Sequence, residues 1–130
     1  MSTLSTDSAP VADAAPPDPL ARLNDRQREA VLHGGGQPCE PLLVIAGAGS
    51  GKTTTLAHRV AQLLVMGADP RRILLMTFSR RAAADLASRV ERIARQVLGP
   101  KSAVLADGLV WWGTFHAMGA RLLREHAADI

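Results

Sequence analysis

The 130-residue sequence predicts an α/β fold, a parallel sheet with helices on both faces. Three observations lead to it. Short apolar runs suited to buried strands alternate with longer runs whose apolar residues recur at helical spacing. A glycine-rich turn, Ala46-Gly47-Ala48-Gly49-Ser50-Gly51, joins the first apolar run directly to a helix pattern. Polar and basic residues cluster where the strands are expected to end, the edge at which such sheets bind ligands.

Met1 to Pro19 is rich in Ser, Thr, Ala, Pro and Asp and holds almost no large apolar residue. It cannot bury enough surface to offset its ordering entropy, so a disordered tail is expected over 1–19 and one structured unit over 20–130. In that unit L-N-D-R-Q-R-E-A-V-L-H reads as a short helix. Asn24 is placed to cap it, Gln27 stands three residues on as in a capping box, and Gly34–Gly36 ends it. Leu42–Ile45 is the first expected strand, too short for a helix and wholly apolar.

A helix is expected from the glycine-rich turn to about Met66, with Leu56, Val60, Leu63 and Leu64 on its apolar face and Gly67 as its stop. Ile73–Thr77 reads as a second strand. Ser79 then caps a long helix in which Ala83, Leu86, Val90, Ile93 and Val97 recur at steps of three and four. Gly99-Pro100 closes it, and the residues up to Asp107 read as loop. Leu109–Gly113 is a third strand. Thr114 caps a last helix, Phe115 to about Ala127, with Met118, Leu122 and Leu123 inward.

The turn itself fits a phosphate-binding loop. Its glycines allow a sharp backbone path that brings N–H groups close to an anion, and the following helix aims its positive dipole end at the same place. Lys52 supplies a charge for phosphate oxygens and Thr53 a hydroxyl suited to a magnesium ion. The strict pattern has glycine where this chain has Ala46, and a small residue satisfies that position. Ala46 to Thr53, Thr77 to Arg81 and Thr114 to His116 are expected to share one rim of the sheet.

Net charge is +3, distributed as −3 over residues 1–20 and +6 over the rest. Between Arg71 and Lys101 eight basic residues face only Asp85 and Glu91, an excess that suits a polyanion and equally suits a solvated arginine-rich helix face. The chain has no apolar run long enough to span a bilayer and no basic-then-apolar leader. Its single cysteine, Cys39, excludes an internal disulfide and fits a reducing cytoplasm. A phosphate-loop hydrolase also needs an acid at a strand end to hold magnesium. The one lookalike is Asp107, after a short alanine-rich run. With only three strands as well, the sheet is expected to be incomplete within these residues.

From about Leu23 to Ile130 the chain resembles the N-terminal part of UvrD/Rep-type superfamily 1 DNA helicases. Four blocks carry the resemblance, in order. L-N-D-R-Q-R-E-A-V is similar to the family's Q motif, A-G-A-G-S-G-K-T to its phosphate loop, M-T-F-S-R-R-A-A-A-D-L-A-S-R-V to motif Ia, and G-T-F-H-A-M-G-A-R-L-L-R to motif Ib. The family more often has T-N-K where this chain has Ser79-Arg80-Arg81, a change that keeps or increases charge.

The resemblance implies a RecA-like P-loop NTPase fold, with ATP and Mg2+ as cofactors. Gln27 would read the adenine, and residues Ala46, Gly47, Ala48, Gly49, Ser50, Gly51, Lys52, Thr53 and Thr54 would surround the phosphates and the metal. It implies single-stranded DNA and duplex junctions as partners, no membrane, and contacts from Thr77, Phe78, Arg80, Arg81, Thr114, Phe115 and His116. Phe78 and Phe115 are alternatively core residues, and His116 alternatively a helix-start residue bonded to backbone. The implied activity is a 3′-to-5′ ATP-dependent DNA helicase. The alternatives are a P-loop ATPase or kinase that does not act on nucleic acid, and a non-enzymatic nucleotide-binding module. The family's acidic metal motif and second motor domain are missing from these residues, so the isolated 130-residue chain is expected to associate and to show no DNA-stimulated ATP turnover.

Overall fold

The computed structural model describes residues 18–47 and 51–130. The expectations for Met1–Pro17 and for Ala48, Gly49 and Ser50 lie outside the described residues. Among the described residues there are five α-helices, two β-strands and several single 3-10 turns.

The first turn, Pro19–Arg22, starts inside the stretch expected to be tail and is capped by the Asp18 carboxylate. Helix α1 spans Asp25–Leu32, and its capping box is complete. Asn24 Oδ1 accepts from the Gln27 N–H at 2.9 Å, and Gln27 Oε1 accepts from the Asn24 N–H at 3.0 Å. Gly34 and Gly35, at φ 78° and 53°, turn the chain out of the helix. The C-terminal carbonyl of Val31 is not left open: Arg59 Nη1 donates to it at 2.7 Å and ties α1 to the next helix.

Helix α2, Lys52–Val65, packs along α3, Arg80–Leu98. Ala57, Val60, Ala61 and Leu64 of α2 form one core with Leu86, Val90 and Ile93 of α3, joined by Leu75 and Leu109. The α3 stripe is the one its spacing predicts, with Ala94 added and Val97 at its partly buried edge. In α2 Val60 and Leu64 are buried as expected and Leu63 partly so, but Leu56 is exposed and Ala57 and Ala61 are buried beside them. Two alanines opposite larger α3 residues let the helix backbones approach closely, which the large-residue count of the sequence does not register.

The strands are β1, Leu74–Thr77, and β2, Trp111–Thr114, paired in parallel with Leu74 opposite Trp111 and Thr77 opposite Thr114. A parallel pair needs a long crossover. Here α3 and a short helix α4, Ser102–Gly108, provide it. The Ala103–Asp107 stretch expected as loop is therefore helical, and Asp107 is not at a strand end. Leu75 faces the α2–α3 core. The alternating positions Leu74, Met76, Trp111 and Gly113 lie on the other face. Helix α5, Phe115–Glu125, meets that face, with Met118 against Gly113 and the Arg121 guanidinium 3.7 Å from the Trp111 ring centroid. Arg121 also donates to the Val110 carbonyl and to Glu125.

Three expectations are corrected. Leu42–Ile45 is not a strand: it pairs with neither β1 nor β2, and Leu43 and Ile45 are 81% and 88% exposed. An apolar run becomes a strand only when a neighbouring ladder satisfies its backbone, and no described strand does so. The sheet has two strands instead of three, and its second face is only partly covered, with Leu74 and Met76 exposed. Leu122 and Leu123 of α5 point outward, because no described element reaches past Met118 to cover them. The α/β class itself stands. No described helix is long and apolar enough to cross a membrane.

This packing predicts a contrast between two leucines. Leu86→Ala opens a cavity in the α2–α3 core and should cost about 2–5 kcal/mol, whereas Leu123→Ala, at a position 62% exposed, should cost about 0.5 kcal/mol or less. Chemical denaturation midpoints of the two variants check this.

Candidate nucleotide site and basic aromatic ridge

Two groups of residues stand out, one at the start of α2 and one at the carboxyl end of the sheet. The first begins at Gly51, whose φ of 83° lies in the left-handed region where a side chain is strained. Gly51 precedes α2 and no side chain caps that helix, so its first N–H groups have no side-chain acceptor. Lys52 and Thr53 open the helix, exposed, and Lys52 has no ion-pair partner among the described residues. An uncapped helix start next to an unpaired ammonium favours an anion. The space around Gly47 is open: a Cβ there would meet nothing within 4 Å.

Gln27 is brought to this place by α1. A Cβ on Gly51 would stand 2.6 Å from Gln27 Nε2, so the missing side chain is what admits the amide. With Ala46, Lys52 and Thr55, Gln27 lines a cavity of about 400 Å³. Its Oε1 serves the capping box, which orients the amide. Thr54 is placed otherwise than its neighbours. Its hydroxyl accepts from Arg89 Nη1 at 3.1 Å, which turns the side chain toward α3. Among the described residues no cluster of three His, Cys, Asp or Glu side chains is placed to hold a metal, and Thr53 is the sequence-expected ligand that is present.

The second group forms a ridge. Thr77 and Thr114 are partners in register at the ends of β1 and β2. The next residues, Phe78 and Phe115, are in contact with ring centroids 5.1 Å apart and planes tilted by 36°. Phe78 is 94% exposed and Phe115 45% exposed among the described residues. Arg80, Arg81 and His116 follow the two rings within three residues along the chain, all exposed, and neither arginine has an ion-pair partner among the described residues. The threonine hydroxyls are committed locally. Thr77 donates to the Ser79 carbonyl, and Thr114 accepts from the Ala117 N–H. Ser79 accepts from the Ala82 N–H, so two capped helix starts, those of α3 and α5, sit side by side at the ridge.

Of the rim expected from the sequence, Thr77 and Thr114 end the two strands of the sheet, while the described residues Ala46, Gly47 and Gly51 to Thr53 do not follow a strand of it. Sequence reasoning also passed over a cavity of about 580 Å³ lined by Gln27, Gly51, Thr54 and Arg89 together with Arg22, His58 and Arg92. One signal for it was legible: Arg89 flanks the apolar stripe between Leu86 and Val90, a position from which a cation reaches the neighbouring helix.

These features define an α/β unit that presents a helix start without a side-chain cap after Gly51 and, at the end of its sheet, an exposed basic aromatic ridge. Residues 23–130 match the family model described as UvrD/REP helicase N-terminal domain, and the chain belongs to that family. It is 44% identical over 111 residues to DNA helicase II of Escherichia coli, covering 85% of this chain and 14% of the relative. It is 40% identical over 131 residues to ATP-dependent DNA helicase UvrD1 of Mycobacterium leprae, covering 100% of this chain and 15% of the relative. It is 42% identical over 112 residues to ATP-dependent DNA helicase PcrA of Staphylococcus epidermidis, covering 85% of this chain and 14% of the relative. The chain therefore spans about one seventh of the length of the curated relatives it matches.

The Gly51 geometry predicts the effect of one methyl group. Gly51→Ala should cost about 1–2 kcal/mol through the left-handed backbone and should also push Gln27 out of its capping-box position. A lowered unfolding midpoint, with faster hydrogen exchange at Asn24 and Gln27, is the expected result.

Proposed function

We propose that this chain is the nucleotide-binding part of a RecA-like motor that couples ATP hydrolysis to 3′-to-5′ movement along single-stranded DNA and to duplex unwinding. What carries the reading is the juxtaposition of Gly51 and Lys52 at an uncapped helix start with the exposed Phe78–Phe115 ridge, within a chain of the UvrD/REP family. The relatives are named as ATP-dependent DNA helicases, which supports ATP as the nucleotide.

On this reading the N–H groups at the start of α2 and the backbone of Ala46 to Gly51 hold the phosphates, and Lys52 neutralises their outer charge. Thr53 offers its hydroxyl to Mg2+, the ion that supplies electrostatic support to phosphoryl transfer when bound. Gln27, held in orientation by Asn24, presents its amide to the adenine edge. At the ridge Phe78 and Phe115 offer faces for stacking bases, and Arg80, Arg81 and His116 meet phosphates. The paired helix starts of α3 and α5 add positive potential there. Thr77 and Thr114 shape the ridge through their caps.

Two measurements test this in the full-length polypeptide that carries the segment. Lys52→Ala should weaken ATP binding roughly ten- to hundred-fold, the loss of a charge-assisted contact of about 1.5–3 kcal/mol. Unchanged affinity removes the phosphate-loop assignment. Replacing Arg80 and Arg81 together with Ala should lower the salt dependence of single-stranded DNA binding by up to about two units of log–log slope. A slope untouched by the double change marks the arginines as a solvated face.

A further inference from the structure

The seam between α2 and α3 is apolar along most of its length, with Ala57, Val60, Ala61 and Leu64 against Leu86, Val90 and Ile93. At its end nearest Gly51 this changes. Arg89 Nη1 donates to Thr54 Oγ1 at 3.1 Å, the one side-chain hydrogen bond between these two helices among the described residues. The guanidinium is half-buried, has no carboxylate partner among the described residues, and rests on a neutral hydroxyl. Arg95 and Arg121 by contrast each meet an acid one turn away, Glu91 and Glu125.

Both ends of this contact lead somewhere. Thr54 is the third residue of α2, directly after Lys52 and Thr53. Its backbone carbonyl is held as well, by the His58 ring nitrogen at 2.8 Å, so a displacement of Thr54 moves the whole first turn. Arg89 belongs to the same rigid helix as Arg80 and Arg81, about 12 Å from the ridge at 1.5 Å per residue. That helix starts directly after Phe78 and Ser79, so a strand of nucleic acid on the ridge bears on the α3 N-terminus. An apolar seam permits small sliding of one helix past the other, because its contacts are non-directional. A hydrogen bond has a direction and ties the first turn of α2 in register with the middle of α3.

We propose that Arg89 is a positioning residue that makes nucleotide binding at Lys52 and Thr53 and single-strand binding at the Phe78–Arg81 ridge mutually dependent, acting through Thr54. This rests on the functional reading above. Binding linkage is reciprocal, so each ligand raises affinity for the other by the same factor, commonly about 5–150-fold. Arg89 is placed to carry part of that factor without touching either the outer phosphates or the ridge.

The experiment measures the affinity of the full-length polypeptide for a non-hydrolysable ATP analogue with and without a saturating oligo(dT) strand, and takes the ratio. Expected are a ratio well above one in the unaltered protein, a ratio within about twofold of one in both Arg89→Ala and Thr54→Val, and no further fall in the double variant, since the two residues act as one unit. Arg89→Lys, which keeps the charge and a donor, should retain part of the ratio. Thr54→Val preserves side-chain volume and so keeps the test open if Arg89→Ala fails to fold. Parallel losses of both affinities with an unchanged ratio overturn the proposal in favour of a merely structural contact. A ratio lost in Arg89→Ala but kept in Thr54→Val overturns it in favour of direct ligand contact by Arg89. A ratio of one in the unaltered protein, with both ligands bound, overturns the linkage and leaves the nucleotide and DNA sites standing. Binding of neither ligand removes the functional reading, and the proposal with it.

Discussion

The structure depends on the apolar seam between α2 and α3. Ala57, Val60, Ala61 and Leu64 meet Leu86, Val90 and Ile93 there, and Leu75 of β1 closes the layer from below. Each helix carries residues of a candidate site at its first turn, Lys52 and Thr53 on α2, Arg80 and Arg81 on α3. The seam therefore sets the distance and angle between the two candidate sites. α1 is joined to the seam from the side, by Arg59 on the Val31 carbonyl, and brings Gln27 to Gly51. Remove the seam and both sites lose their common frame.

Polar side chains do a second job, at the ends of elements. Asn24 with Gln27, Asp69, Ser79 and Thr114 each accept a hydrogen bond from a backbone N–H that a helix or turn leaves open. Asp69 shows the electrostatic side of this. Hydrogen bonds from Arg71, its backbone N–H first, hold the Asp69 carboxyl below the ordinary aspartate range. The exception is α2, which begins at a glycine and carries no side-chain cap. Among the described residues it is the long helix start without a side-chain cap, and it lies next to Lys52.

The ridge shows how function uses exposure. An aromatic ring 94% exposed loses the stabilisation that burial would supply. Here that ring touches the half-exposed ring of Phe115, and among the described residues Arg80 and Arg81 have no acid partner.

Much of this was legible in the sequence, because local rules govern it. The capping box of Asn24 and Gln27, the stop at Gly34, the cap at Ser79 and the α3 stripe follow from residue types and spacing over one or two turns, and each appears as read. The alanine face of α2, the helical turn through Asp107, the outward Leu122 and Leu123 and the unpaired Leu42–Ile45 depended on which surfaces came together. A strand exists only with a neighbour to hydrogen-bond, and an apolar face is buried only where another element covers it. Phe78 meeting Phe115, and Arg89 meeting Thr54, join residues 37 and 35 apart along the chain. No periodicity within a single element reaches that far, and those two contacts were decided by the tertiary structure alone.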